Sequence, residues 1–321
     1  MKCLRVTLGA VCVVGRLSAQ QPDIGPAPGT LVDVGGRKLH LFCSGHGSPT
    51  VVFEAGASSF AIDWTLVQQQ VARRNRVCAY DRAGMGWSDP STPETRRTVP
   101  ADLQALLRAA GERAPYVLVG ASLGGLHVRS YIADYPDDVV GLVLVDPASE
   151  DRLFTMIDGQ AVLIGSLTPE QMRATVPTQT VRVPRRRPQT GAPFDKLPPS
   201  LYELRVKLDT RLIASQPDSV TPQMIATSRE EERARLARLL AQRSSTAQPL
   251  GDRPTVVLTR GVDSDPEPRA THAALAQLST NSRHTVVPGS GHEIHLFEPS
   301  AVVQAIGDVV QSVRTKSRLA R

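Results

Sequence analysis

Residues 117–125 read VLVGASLGG: an apolar run leads straight into Ser122, with glycines two positions before and two positions after it. An ordinary strand-to-helix connection needs a turn but does not need small residues at both of those positions. A serine forced onto a cramped corner does, because neighbouring backbone must pass where a side chain would stand. Residues 120–124 fit the pattern Gly-x-Ser-x-Gly, with an apolar strand before and a helical pattern after, the context in which that pattern carries chemistry. The corner lifts the hydroxyl to the edge of the sheet, at a helix N-terminus whose amides favour negative charge. The plainer reading is a tight turn with a serine cap.

The same organisation extends outward. Short apolar runs at 31–34, 38–43, 50–54, 76–80, 116–119, 141–145, 255–259 and 284–287 read as strands, with Gly35-Gly36 marking a hairpin turn between the first two. Helical periodicity occupies 62–73, 101–110 (with Pro100 at its start), 122–135, 269–278 and 299–315. Almost wholly apolar strands alternating with helices predict an α/β protein whose parallel sheet is covered on both faces. Between 148 and 253 the pattern changes: prolines cluster, strand-like runs are few and a charged helix stands out at 228–242. This block reads as an insertion over the sheet. Its run Arg182, Arg185, Arg186, Arg187 reads as a solvated loop, or more sharply as an attractor of anionic substrates.

With 321 residues, 41% of them apolar and 21% charged, the chain can bury a full core. The net charge of +6 is concentrated at the ends: Lys2, Arg5 and Arg16 at one, Arg314, Lys316, Arg318 and Arg321 at the other. No nucleic-acid motif accompanies it, so nucleic acid is not expected as a partner. The first nineteen residues, MKCLRVTLGAVCVVGRLSA, have a positive start, an apolar run over 6–15 and small residues ending at Ala19. That is the layout of a secretory signal peptide, too short to span a bilayer stably, and Cys12 lacks the small residue before it that a lipid anchor needs. A periplasmic or secreted protein is expected. Cys43 and Cys78 then remain, either core thiols or a disulfide.

A serine hydroxyl needs a base. Of the seven histidines, His292, in GSGH directly after the last strand, is carried by a loop at the C-terminal sheet edge that can reach Ser122. His295 is expected to point elsewhere or pack structurally, His127 to be a hydrogen-bonded core side chain, and His40, His46, His272 and His284 to occupy strand or surface positions. The base needs an acid to fix its tautomer. Asp146 ends the strand 141–145, and Asp263 and Asp265 follow the strand ending at Thr259. Asp146 is favoured because it is tied directly to its strand end, with Asp263 as the first alternative. One oxyanion donor is the Leu123 amide. The second is expected from the loop after residue 54, with Gly56 allowing the turn and Ala57 N–H as donor.

The segments VVFEAGA, YDRAGMGWS (80–88), VGASLGG, GLVLVDP (141–147) and GSGHEIHLFEP (289–299) together resemble the α/β-hydrolase superfamily over residues 29–315. The resemblance implies a mostly parallel central sheet flanked by helices with an inserted helical cap: a signal peptide over 1–19, a core over 20–147 and 254–321, and a cap over 148–253. The order Ser122, Asp146 or Asp263, His292 matches the family's order of nucleophile, acid and histidine. Two departures stand out. Ala55-Gly56 replaces the His-Gly that many members carry before the oxyanion donor, and no acid stands at the usual spacing after TRG (259–261), which again favours Asp146. In this superfamily the second strand lies beside the fourth, which implies a Cys43–Cys78 disulfide. The function implied is an exported serine esterase acting on small-molecule carboxylic esters through an acyl-enzyme, with neither metal nor organic cofactor. Peptidase, lactonase and thioesterase activities on the same triad, or a non-catalytic binding protein of the same fold, are the alternatives. No feature of the sequence fixes an oligomeric state.

Overall fold

The computed structural model describes residues 22–157, 159–262 and 266–320. Eight strands form one sheet: β1 (Thr30–Asp33), β2 (Lys38–Ser44), β3 (Thr50–Glu54), β4 (Val77–Tyr80), β5 (Tyr116–Ala121), β6 (Val139–Val145), then β11 (Thr255–Arg260) and β12 (Ser282–Val287). Their order is β1-β2-β4-β3-β5-β6-β11-β12. β1 and β2 are antiparallel to their neighbours, and the remaining pairs are parallel. Between β6 and β11 lie two small two-stranded sheets, β7 (Phe154–Ile157) with β8 (Gln160–Leu163) and β9 (Val181–Arg182) with β10 (Ser219–Val220).

The helices are α1 (Thr65–Val71), α2 (Val99–Ala109), α3 (Leu123–Asp134), α4 (Pro169–Ala174), α5 (Pro199–Ser215), α6 (Pro222–Ser245), α7 (Pro266–Ala276), α8 (Ile294–Phe297) and α9 (Pro299–Thr315). Among the described residues no helix is long and apolar enough to cross a membrane.

The unbroken apolar strands conceal a period of two. Val117, Val119, Val143, Val145, Val256 and Leu258 face one layer, shared with Trp64, Val67 and Val71 of the α1 region and with Val302, Ile306 and Val309 of α9. Leu118, Leu142, Leu144 and Val257 face the other, with Leu103 and Leu107 of α2, Val128 and Tyr131 of α3 and Leu275 of α7. Both faces are dry, so neither alternate set can be polar.

Cys43 and Cys78 are register partners on β2 and β4 and form a disulfide. The helix read at 62–73 is a 3-10 turn, Ala61–Trp64, followed by α1, and the charged helix read at 228–242 is the inner part of a longer α6. α4, α5 and the β7–β8 hairpin carried no clear periodic signal.

The insertion is fastened by buried charges. Arg205 of α5 is wholly buried; its guanidinium lies 3.7 Å from the Phe194 ring centroid, 3.3 Å from Asp63 Oδ1 and 3.6 Å from Asp209 Oδ2. The basic run is not simply a solvated loop: Arg186 pairs with Asp209 and Arg185 with Asp218. Arg185 and Arg186 are thus occupied by carboxylates of the insertion itself.

At the start of the insertion, Glu150 is wholly buried and takes Arg129 Nη1 at 3.0 Å and Nη2 at 2.5 Å, with Arg243 of α6 at 3.2 Å. Burial works to raise the Glu150 pKa, but the Arg129 charge and hydrogen bond outweigh it and hold it at about 2. Glu150→Ala leaves Arg129 buried without a counter-charge. Its expected cost is about 3–5 kcal/mol of stability, read from urea unfolding at neutral pH. Because the folded-state pKa is depressed, the wild-type contribution is full above the ordinary glutamate range and is lost as pH falls towards 2. The gap between Glu150→Ala and wild type should therefore narrow across that window. A gap independent of pH would contradict the assignment of this stability to the ionised carboxylate.

Candidate active site

Ser122 sits between β5 and α3 with φ 51° and ψ −120°, a conformation that L-residues rarely adopt. Its surroundings explain the glycines. A Cβ on Gly120 would stand 2.5 Å from Gly124 O, one on Gly124 would run into the carbonyls of Glu54 and Ala55, and one on Gly125 would stand 2.5 Å from Pro147 Cβ. The corner is pinned by backbone bonds: Ser122 N donates to Val145 O (3.0 Å), and Ser122 O accepts from Gly125 N (2.9 Å) and Ala148 N (2.8 Å).

Those bonds bring β6's end to the serine. Ala121 and Val145 are register partners, so Asp146, the next residue, lies beside the Ser122 corner. Asp146 also has positive φ, 42°, and its N–H donates to Leu258 O (2.8 Å). Its buried carboxylate meets His292 Nδ1 at 2.5 Å through Oδ2. Oδ1 accepts the Arg260 N–H at 3.0 Å. Burial acts to raise the Asp146 pKa, yet the His292 hydrogen bond, the Arg260 amide and the charges of both residues hold it below the usual carboxylate range. His292 stands on the loop between β12 and α8, with its side chain 38% exposed, so the Nδ1 face is fixed by Asp146 while the ring remains reachable. Asp263 and Asp265 lie outside the described residues.

The loop after β3 approaches the same corner: Gly56 is close enough that a Cβ there would be 3.3 Å from Ser122 Cβ. Among the described residues neither Ala57 N–H nor Leu123 N–H donates to any acceptor. The loop is clamped from behind by Arg82. Its Nη1 donates to Glu54 Oε1 and Ala55 O, and its Nη2 to Gly56 O, each at 2.6 Å. Tyr80 O–H donates to the other oxygen of Glu54, which is buried with its pKa raised by desolvation despite Arg82. Tyr80, Arg82 and Glu54 escaped sequence reasoning as support for this loop, although YDRAGMGWS and VVFEAGA contained them.

Five of the other six histidines pack within the structure, and His46 is exposed. His295 stacks on Trp64 at 4.6 Å, and burial, then the charges of His292 and Arg205, hold its pKa near 3. His40 joins buried Asp81 at 2.7 Å. His127 is buried as expected, but among the described residues its Nδ1 finds no partner, and burial keeps its pKa well below the usual value. His272 is not a surface residue: it is buried on α7, with Nε2 2.9 Å from Pro147 O and Nδ1 2.8 Å from Thr259 Oγ1, which also meets His284. One group of potential metal-ligand atoms is found among the described residues, Cys43, Cys78 and Glu112, and both its sulfurs are in the disulfide.

The model of the alpha/beta hydrolase family matches residues 41–305. "Probable transporter efuK" of Hormonema carpetanum is 35% identical over 129 residues, 37% of this chain and 18% of that protein. The chain spans well under half the length of the first curated relatives it matches, 18% of one and 37% of the next. Among solved structures, a thermophilic esterase from Thermogutta terrifontis superposes with a TM-score of 0.55 at 21% identity, over 88% of this chain and 97% of that one. A laboratory-evolved variant of potato epoxide hydrolase gives 0.60 at 17% identity, over 88% and 98%. At these identities the superpositions establish the fold alone.

Proposed function

The chain belongs to the alpha/beta hydrolase family, and we propose that within it this protein is a serine hydrolase that cleaves carboxylic esters through an acyl-enzyme on Ser122. The observation that carries the reading is the 2.5 Å contact between His292 Nδ1 and Asp146 Oδ2, set beside a serine in a strained corner whose backbone is bonded to the residue before Asp146.

The chemistry runs in two halves. His292, with Nδ1–H held by Asp146, takes the Ser122 proton on Nε2 as Oγ attacks the ester carbonyl carbon. The carbonyl oxygen becomes an oxyanion between the N–H groups of Leu123 and Ala57, two donors with no acceptor among the described residues. The imidazolium protonates the departing alcohol as the tetrahedral intermediate collapses. Water then gives a proton to His292 and attacks the acyl carbon; as the acyl–Oγ bond breaks and the acid leaves, His292 returns the proton to Ser122 Oγ. Asp146 stays ionised throughout, in keeping with its lowered pKa. The epoxide-hydrolase branch uses a carboxylate as nucleophile, and the residue at this corner is a serine. The insertion between β6 and β11 acts in this reading as the cap that shapes the substrate pocket.

Fluorophosphonate labelling of the full chain tests the proposal. Peptide mapping is expected to find one phosphonyl adduct, on the peptide carrying Ser122, together with turnover of short nitrophenyl esters. An unlabelled protein, or an adduct elsewhere, refutes it.

Export completes the reading. Its supports are the leader-like first nineteen residues and a disulfide of the kind that persists in oxidising compartments. The mass of the protein from its native host is expected to correspond to a chain beginning after Ala19, with no free thiol; a full-length, reduced protein contradicts it.

A further inference from the structure

Arg260 ends β11 and meets Asp146 twice. Its amide donates to Oδ1 at 3.0 Å, and its guanidinium Nη1 stands 3.3 Å from Oδ2, the oxygen that holds His292 Nδ1. Any residue but proline at 260 would supply the amide. Only a cation supplies the second contact, and the two-step reaction derived above makes no use of that charge.

We propose that Arg260 is a positioning residue that sets the pH range of the reaction, by sharing with His292 the carboxylate oxygen that stabilises the imidazolium. The inference rests on the Ser122–His292–Asp146 reading. A permanent positive charge on the same oxygen reduces what Asp146 can offer the protonated ring.

The other charged and titratable groups around the pair do not compete for this role. On α7, His272 has Nδ1 3.8 Å from Asp146 Oδ1, but burial lowers its pKa and its ring is already bonded to Pro147 O and Thr259 Oγ1. On β12, His284 is turned to Thr259 Oγ1, with its pKa lowered by burial. On α8, His295 is neutral above a pKa of about 3, and Arg205 from α5 is occupied by Asp63 and Asp209. Among the described residues Arg260 is the one fixed cation on the Asp146 carboxylate. The depressed pKa of Asp146, where burial is outweighed by the His292 and Arg260 contacts, agrees with a carboxylate bearing both partners.

The test is the pH profile of kcat/KM for a neutral nitrophenyl ester, measured on wild type, Arg260→Gln, Arg260→Met and Arg260→Lys. Its acid limb reports the base of the free enzyme. The Arg260 side chain is 27% exposed, so solvent screens its charge. The expected displacement on removing it is about 0.5–1 pH unit towards higher pH, the low side of the range for direct charge pairs. Below the limb, kcat/KM then falls roughly 3–10-fold relative to wild type. Gln and Met should both move the limb, and Lys should restore it. A residue that only braces the loop would lower the plateau or the melting temperature and leave the limb in place. That result in whichever neutral variant folds overturns the inference. The underlying triad reading fails separately, if wild type shows no acid limb or if Ser122→Ala keeps full turnover.

Discussion

Ser122→Ala is expected to lower kcat on nitrophenyl esters about 10⁶-fold and to abolish fluorophosphonate labelling, while the protein stays folded. Removal of a nucleophile from a triad costs a factor of this order, because the histidine and acid have nothing left to activate. What survives is the smaller acceleration from the oxyanion donors and binding, about 10³–10⁴ over water. The folded state should tolerate the change. Ser122 makes its bonds to Val145, Gly125 and Ala148 through backbone atoms, which alanine retains. Alanine and serine also suffer alike at φ 51°, so the strain at the corner is unchanged. Circular dichroism and a melting curve beside the kinetics separate lost chemistry from lost fold. A variant that keeps its fold and its turnover removes Ser122 from the reaction.

Asp146→Asn should lower kcat about 10⁴-fold, while Asp263→Asn should stay near wild type. The first magnitude is typical when the acid of such a triad is replaced by its amide, which neither enforces the Nδ1–H tautomer nor offsets the imidazolium charge. The position of Asp146 suits it to the proposed task. The backbone turns at φ 42°, the carboxylate is buried, and its oxygens divide between His292 Nδ1 and the Arg260 amide. An asparagine must also satisfy the Arg260 N–H, so one orientation of its amide sets the NH₂ against His292 and the other sets it against that donor. The residual rate should grow as pH rises, since the neutral ring with its proton on either nitrogen no longer needs a counter-charge. The reverse pattern, with Asp263→Asn crippled and Asp146→Asn healthy, moves the acid to the loop after β11.

The order of strands and helices around the serine corner was legible because each element announces itself locally. Gly120, Gly124 and Gly125 are required by contacts with backbone or proline atoms, so their pattern survives as a readable string. The paired cysteines followed from the neighbouring of β2 and β4, which the family resemblance implied. Legibility fails where a residue's task depends on a partner far along the chain. Arg82 looks like a loop cation until Ala55 O and Gly56 O are seen beneath it. His272 looks like a surface helix residue until Pro147 O, 125 residues away, is found against it. In the insertion, helices are weakly amphipathic because buried Arg205 and half-exposed arginines replace the apolar stripe that marks a helix face.

By itself, then, the sequence determined which backbone corners must be glycine, which runs are dry on both sides and hence that the sheet is mostly parallel and enclosed, since close packing and the strand period act over a few residues. Only the tertiary structure decided which carboxylate meets His292, what braces the loop at Ala57 and which cation leans on Asp146. Those are choices among chemically equivalent side chains, and distance in space, which chain order does not encode, discriminates between them.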